Sequence, residues 1–180
     1  MKSKPFWASP LILIAAMAAC AGPITTRSGI EGPPVLAATA FALAPAAEDA
    51  GSATLTARDA VAAALERHGY RLSSEAPLRI EVALSERAAD IDVRTLGGPA
   101  ISPAKTTRLF QDCRDRTHRL TLAVMDLAVP PTRPGVTRAW AEEHHCKGTM
   151  AASLPSLAEQ AVAALSLGGF ERSTQRSGKD

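Results

Sequence analysis

Aromatic residues are scarce in this sequence: four Phe, two Trp and one Tyr among 180 residues. That scarcity disfavours a stacked platform for sugars or bases. A charge excess is missing too. Lys and Arg number 20 against 18 Asp and Glu, a formal charge of +2, without the basic surplus of a nucleic-acid binder. No GxSxG elbow, P-loop, GxGxxG, HExxH, CxxC or EF-hand spacing occurs, so no nucleophile, phosphate cradle or metal set announces itself. No cofactor and no metal are expected, and a non-catalytic role is expected ahead of an envelope hydrolase or metal enzyme. The apolar run from Pro10 to Ala19, PLILIAAMAA, falls well short of the ~20 residues a membrane-spanning helix takes.

That run has the size of the apolar region of an export signal. The basic start Met1-Lys-Ser-Lys4 precedes it and small residues follow. Met17-Ala18-Ala19-Cys20 resembles the bacterial lipobox, although leucine is the commoner occupant of the Met17 position. The resemblance implies that residues 1–19 are removed as a signal peptide and that Cys20 becomes a lipidated first residue. Two or more acyl chains anchor stably where one does so only marginally. Ala21, in place of the aspartate associated with inner-membrane retention, implies delivery to the outer membrane with the domain in the periplasm. Loss of Lys2 and Lys4 leaves 18 basic against 18 acidic residues, since no acidic residue precedes Cys20.

Three cysteines are awkward in an oxidising compartment. Lipid on Cys20 leaves Cys113 and Cys146, most simply a disulfide. Two arrangements compete with it: free thiols, and a metal site from His144, Cys146 and Cys113 with His118 as a fourth candidate, because a strand would put His144 and Cys146 on one face. The metal site's ligands lack the tight spacing usual in zinc sites.

Ala21 to Pro34 is rich in Gly, Pro, Ser and Thr and reads as a flexible tether, residues 20–34 including the cysteine. Residues 35–170 suffice for one modest core, and 171–180 read as a polar tail. Val35–Leu43 suggests a first strand. Thr56 and Asp59 suggest a capping box, with Leu55 stapled against Ala60, opening a helix that Gly69 ends. Its apolar stripe is Ala57, Val61, Ala64 and Leu65. Leu78, Ile80, Val82 and Leu84 alternate with polar residues, the signature of a strand with one wet face. Ile91 and Val93 repeat the alternation, and LGGPAISPAK reads as loop. Leu120, Leu122 and Val124 mark another strand, closed by a turn at PPTRPG, and Val136 to Met150 mark the next. The final helix is expected to be capped by Ser153, with Pro155 in its first turn and Gly168-Gly169 at its end. The fold class is therefore α+β: an antiparallel sheet of about four to five strands with two helices packed on one face.

Few polar residues invite a functional role. Glu142-Glu143-His144-His145 should alternate on a strand, one Glu and one His per face, as cross-strand pairs. Trp140 is expected as a core anchor beneath the last helix, and His68 as a helix-end residue favoured by the dipole. The densest charge, Arg108 to Arg119 (RLFQDCRDRTHR), reads as a loop holding His118. Its Arg108, Arg114, Arg116 and Arg119 are candidate contacts for an anionic headgroup, a glycan or a protein partner.

The lipobox, the early FAL.P strand, a helix ending AALERHGYRL, an alternating strand and a Trp-bearing strand before the last helix together resemble a known group. It is the small periplasmic lipoproteins of Gram-negative bacteria that carry a domain of unknown function (DUF4136-like). The likeness implies membrane attachment through Cys20, a possible envelope protein partner and no catalytic residues. A weaker resemblance is to the lipoprotein that plugs the lipopolysaccharide-assembly translocon, implying an outer-membrane assembly factor. No aromatic and arginine segment directly follows Cys20 as that family tends to show.

Overall fold

The computed structural model describes residues 24–32, 39–94, 96, 98, 100–106, 113–127, 136–167 and 172–176. Alternation of apolar residues makes two of its three central strands. The three are β4 (Leu78–Ala88), β7 (Arg116–Asp126) and β8 (Val136–His145), antiparallel neighbours in an unbroken register from Leu78↔Asp126 to Arg116↔His145. Leu78, Ile80, Leu120, Leu122, Ala139 and Ala141 face one way and are buried.

Among the described residues, two helices cover that face. Helix α1 (Ser52–Arg67) buries Ala57, Val61, Ala64 and Leu65, the expected stripe. Helix α2 (Met150–Leu167) buries Leu154, Leu157, Ala158, Ala161 and Val162. Small side chains on both surfaces let helix and sheet approach closely, and the leucines supply the apolar area. Gly69, at φ +87°, ends α1. Arg67 and His68 there reach Glu159 of α2 at 2.9 and 2.7 Å, tying the helices together. Arg67 foremost holds the Glu159 carboxyl below its ordinary pKa.

The sheet exceeds the sequence expectation. Among the described residues it has seven strands, in the order β3 (Arg71–Leu72), β2 (Ala40–Leu43), β4, β7, β8, β1 (Ile24–Glu31) and β9 (Arg172–Arg176), and is mixed. β2 runs parallel to both β4 and β3. The expected tether is largely β1, and the expected tail supplies β9, antiparallel to β1. Ile24, Thr26, Ser28 and Ile30 share a face, so β1 does alternate, but with hydroxyls where an apolar pattern would hold leucines. Ile91 and Val93 do not extend the sheet. β5 (Val93–Arg94) pairs with β6 (Ala100–Ser102), in the segment expected as loop, to make a separate two-stranded ribbon.

Both helices begin earlier than expected. Gly51 precedes α1, and Thr56 donates to the Ser52 carbonyl rather than capping. Thr149 caps α2 by accepting from the Ala152 amide at 3.3 Å, which leaves Ser153 and Pro155 inside the helix. Residues 1–23 with Cys20, residues 35–38, the PPTRPG turn and Gly168-Gly169 lie outside the described residues.

Candidate functional site

β8 carries polar residues into the middle of the molecule on both of its faces. Glu142 and Glu143 are both fully buried, and His145 nearly so. Alternation sends Glu143 and His145 towards α2, and Glu142 and His144 the other way, as the strand period requires.

On the helix side, Glu143 Oε1 accepts from Thr26 Oγ1 at 2.7 Å and Ser156 Oγ at 2.6 Å. Glu143 Oε2 lies 2.9 Å from His145 Nε2. The same Nε2 is 2.9 Å from Ser153 Oγ, which is 2.9 Å from His118 Nδ1. The two imidazoles stack, with centroids 5.0 Å apart. Gly148 closes the far side of His145: a Cβ there would sit 2.4 Å from Nδ1. His118 is therefore a buried β7 residue rather than part of a basic loop. Its Nε2 makes no hydrogen bond, with Glu86 Oε2 3.7 Å away.

Serine, histidine and glutamate in sequence suggest a nucleophile relay, but the geometry differs. A relay histidine meets the nucleophile with one ring nitrogen and the orienting carboxylate with the other. Here both contacts use His145 Nε2, and Ser153 is fully buried within α2. The cluster pins the start of α2 to β7 and β8, because each buried polar atom left unpaired costs about 1–3 kcal/mol.

On the opposite face Glu142 accepts from Arg27 at 3.1 Å, Arg119 at 3.2 Å and Ser102 Oγ at 2.5 Å. Ser102 belongs to the ribbon, and Arg87 binds its hydroxyl and its carbonyl. Trp140 lies on this face and not beneath α2, which corrects the core-anchor expectation. The Arg119 guanidinium sits 4.4 Å from its ring centroid and that of Arg27 6.0 Å. Gly29 opposite permits this, since a Cβ there would meet the indole at 2.9 Å. His144 pairs with Thr117 at 2.9 Å. Burial lowers the Arg119 pKa against the pull of Glu142.

Cys113 and Cys146 are joined as a disulfide with Cα atoms 5.6 Å apart. The alternative quartet is dispersed, since His118 and His144 point to opposite faces. Asp115 places a carboxylate oxygen within 4.8 Å of both sulfurs, and pairs with Lys105 at 2.5 Å. Of the arginine candidates, Arg108 lies outside the described residues. Arg116 and Arg119 belong to β7 rather than a loop. Arg114 and Arg116 present side chains 77 % and 65 % exposed, paired with Asp90 and Glu86. Arg119 is 16 % exposed, paired with Glu142 and set over Trp140, so it presents far less surface than Arg114 or Arg116. Arg27, Thr26 and Ser102 were hidden from sequence reading, because each finds its partner through long-range pairing.

Burial lowers the pKa of both His118 and His144. His145 adds to the effect at His118, while Glu142 opposes it at His144. The unfolded chain therefore takes up protons near the ordinary value of about 6.5 before the folded chain does. Stability is full above that pH and is lost as pH falls from there through the folded values, by at most about 1.4 kcal/mol per pH unit for each histidine. Urea midpoints should drop between neutral pH and mildly acidic pH, and His118→Leu should flatten the slope. A pH-independent midpoint would contradict this account.

No family model matches the chain, and neither does any curated protein. Among solved structures it is similar to a PelC dodecamer from Paraburkholderia phytofirmans, at 14% identity and TM-score 0.46, covering 79% of this chain and 96% of that one. A variant of that PelC gives TM-score 0.46 at 13% identity. A PDZ domain protein from Parabacteroides distasonis gives TM-score 0.48 at 10% identity, with 92% of this chain against 42% of that one. Likenesses this low carry no functional argument, which stays with the residues themselves.

Proposed function

We propose that the chain is a non-catalytic domain anchored by lipid on Cys20 to the outer membrane, facing the periplasm and binding or supporting another envelope component. One observation carries the reading. The Cys113–Cys146 bridge uses two of the three cysteines, leaving Cys20 as the odd one, directly behind an apolar run and a basic start. Among the described residues, no helix is long and apolar enough to cross a membrane, so attachment by acyl chains would serve in place of a span. The two buried polar clusters support a structural use of the histidines and glutamates, since their hydrogen bonds are directed at one another and at neighbouring Thr, Ser and Arg side chains.

Mass spectrometry of the chain extracted from membranes tests this. The expected mass starts at Cys20, includes acyl groups and lacks the two hydrogens of a disulfide. A Cys20→Ser chain should appear in the soluble fraction. Retention of Met1 to Ala19, or an unacylated mature chain, would overturn the reading.

A further inference from the structure

Only Ala21, Gly22 and Pro23 separate Cys20 from Ile24, the first residue of β1. A chain advances at most about 3.3–3.6 Å per residue, so Ile24 can stand no more than ~14 Å from Cys20. The sheet is longer than that. β4 and β7 each run 11 residues, about 36 Å at 3.3 Å per residue.

Register fixes which end of the sheet the short link holds. Thr26 pairs with Glu143, His145 with Arg116, and Arg116 with Ala88. The start of β1, the end of β8, the start of β7 and the end of β4 therefore share one end. From Ala88 the chain turns directly into the β5–β6 ribbon. Beyond that turn Ile91 is 54 % exposed, Val93 42 % and Leu96 fully exposed. Three large apolar side chains left in water within one short segment mark an interaction site rather than scattered surface residues. Arg94, Arg114 and Arg116 stand in or beside this segment with exposed side chains. Each guanidinium keeps donors beyond its carboxylate partner, in the fork geometry that suits phosphate.

We infer that the occupant of this surface is the bilayer itself. The domain rests on the membrane through the Ile24 end of its sheet and the ribbon that rises from it, with Ile91, Val93 and Leu96 at the headgroup boundary. The inference rests on the lipidation proposed above. The link supplies the reason to choose lipid over a protein partner: a tether this short keeps the membrane beside this end at high effective concentration. Leu72 and Leu127, 56 % and 60 % exposed, lie at the opposite end, beside Leu78 and Asp126, and serve as matched controls.

The test uses full-length acylated protein in phosphatidylethanolamine/phosphatidylglycerol vesicles, with the native disulfide left oxidised. An environment-sensitive fluorophore is attached through Ile91→Cys, Leu96→Cys, Leu72→Cys or Leu127→Cys, and a nitroxide is carried on the lipid headgroups. Labels at 91 and 96 should be quenched several-fold more than those at 72 and 127, with blue-shifted emission. Equal or reversed quenching on a chain that carries acyl mass and floats with vesicles would overturn the orientation and leave the anchor standing. A chain that neither carries acyl mass nor floats would remove both.

Discussion

Arg119→Ala should destabilise the domain by about 3 kcal/mol, the low end of the range for breaking a buried ion pair by removing one partner. The side chain of Glu142 is fully buried, so its charge cannot recover water when a donor is lost. Arg27 stays on Oε1 and Ser102 on Oε2, which keeps the cost from the upper end. Loss of the guanidinium over Trp140 adds to it, since a cation at 4.4 Å from the ring is worth roughly 0.5–2 kcal/mol depending on exposure. The double variant Arg119→Met/Glu142→Leu should recover most of the loss, because apolar residues of similar volume often replace a buried pair without penalty. Urea denaturation with an unchanged m-value separates the cases. A single variant within 0.5 kcal/mol of the parent, the usual scatter of surface changes, would mean that Glu142 is solvated and the cluster is not closed.

Why this cluster escaped the sequence is a matter of distance along the chain. Arg27 and Glu142 stand 115 residues apart, and Arg27 sits among Thr, Ser and Gly in a stretch whose composition reads as a tether. Hydropathy shows which face of a strand is buried only when that face is apolar. β4 and β7 met that condition and were legible, as was the α1 stripe. β1 buries Thr26 and Ser28, and β9 exposes the side chains described on it while pairing through its backbone. Neither gives a signal of period two in hydrophobicity. Short β2 and β3 pair in parallel across α1, a choice made by tertiary packing that no local pattern encodes. The Glu-Glu-His-His stretch was legible as alternation but not as buried on both faces, because the ribbon that brings Ser102 to Glu142 is itself invisible in the sequence. The Cys113–Cys146 disulfide was legible by setting Cys20 aside and pairing the two cysteines that remain.

Replacing Cys113 and Cys146 with serine should cost roughly 3–4 kcal/mol, the value the loop-entropy account gives for a separation of 33 residues. The bridge lies just beyond the paired residues Arg116 and His145, at the open end of the β7–β8 hairpin. In the folded state these ends are already held by backbone hydrogen bonds, so most of the stabilisation comes from restricting the unfolded chain. A reductant acting on the parent should reproduce the shift in urea midpoint, and should do nothing to the double-serine variant. On the proposed lipidation, Cys20→Ser should leave the midpoint where it is while releasing the chain from the membrane, since an acyl anchor and a disulfide act on different equilibria. If two titratable thiols appeared on unreduced parent protein, or if reduction left its midpoint unmoved, the pairing would fail. With it would go the parity that singles out Cys20, and the proposed anchor and the proposed membrane-facing end of the sheet would lose their support.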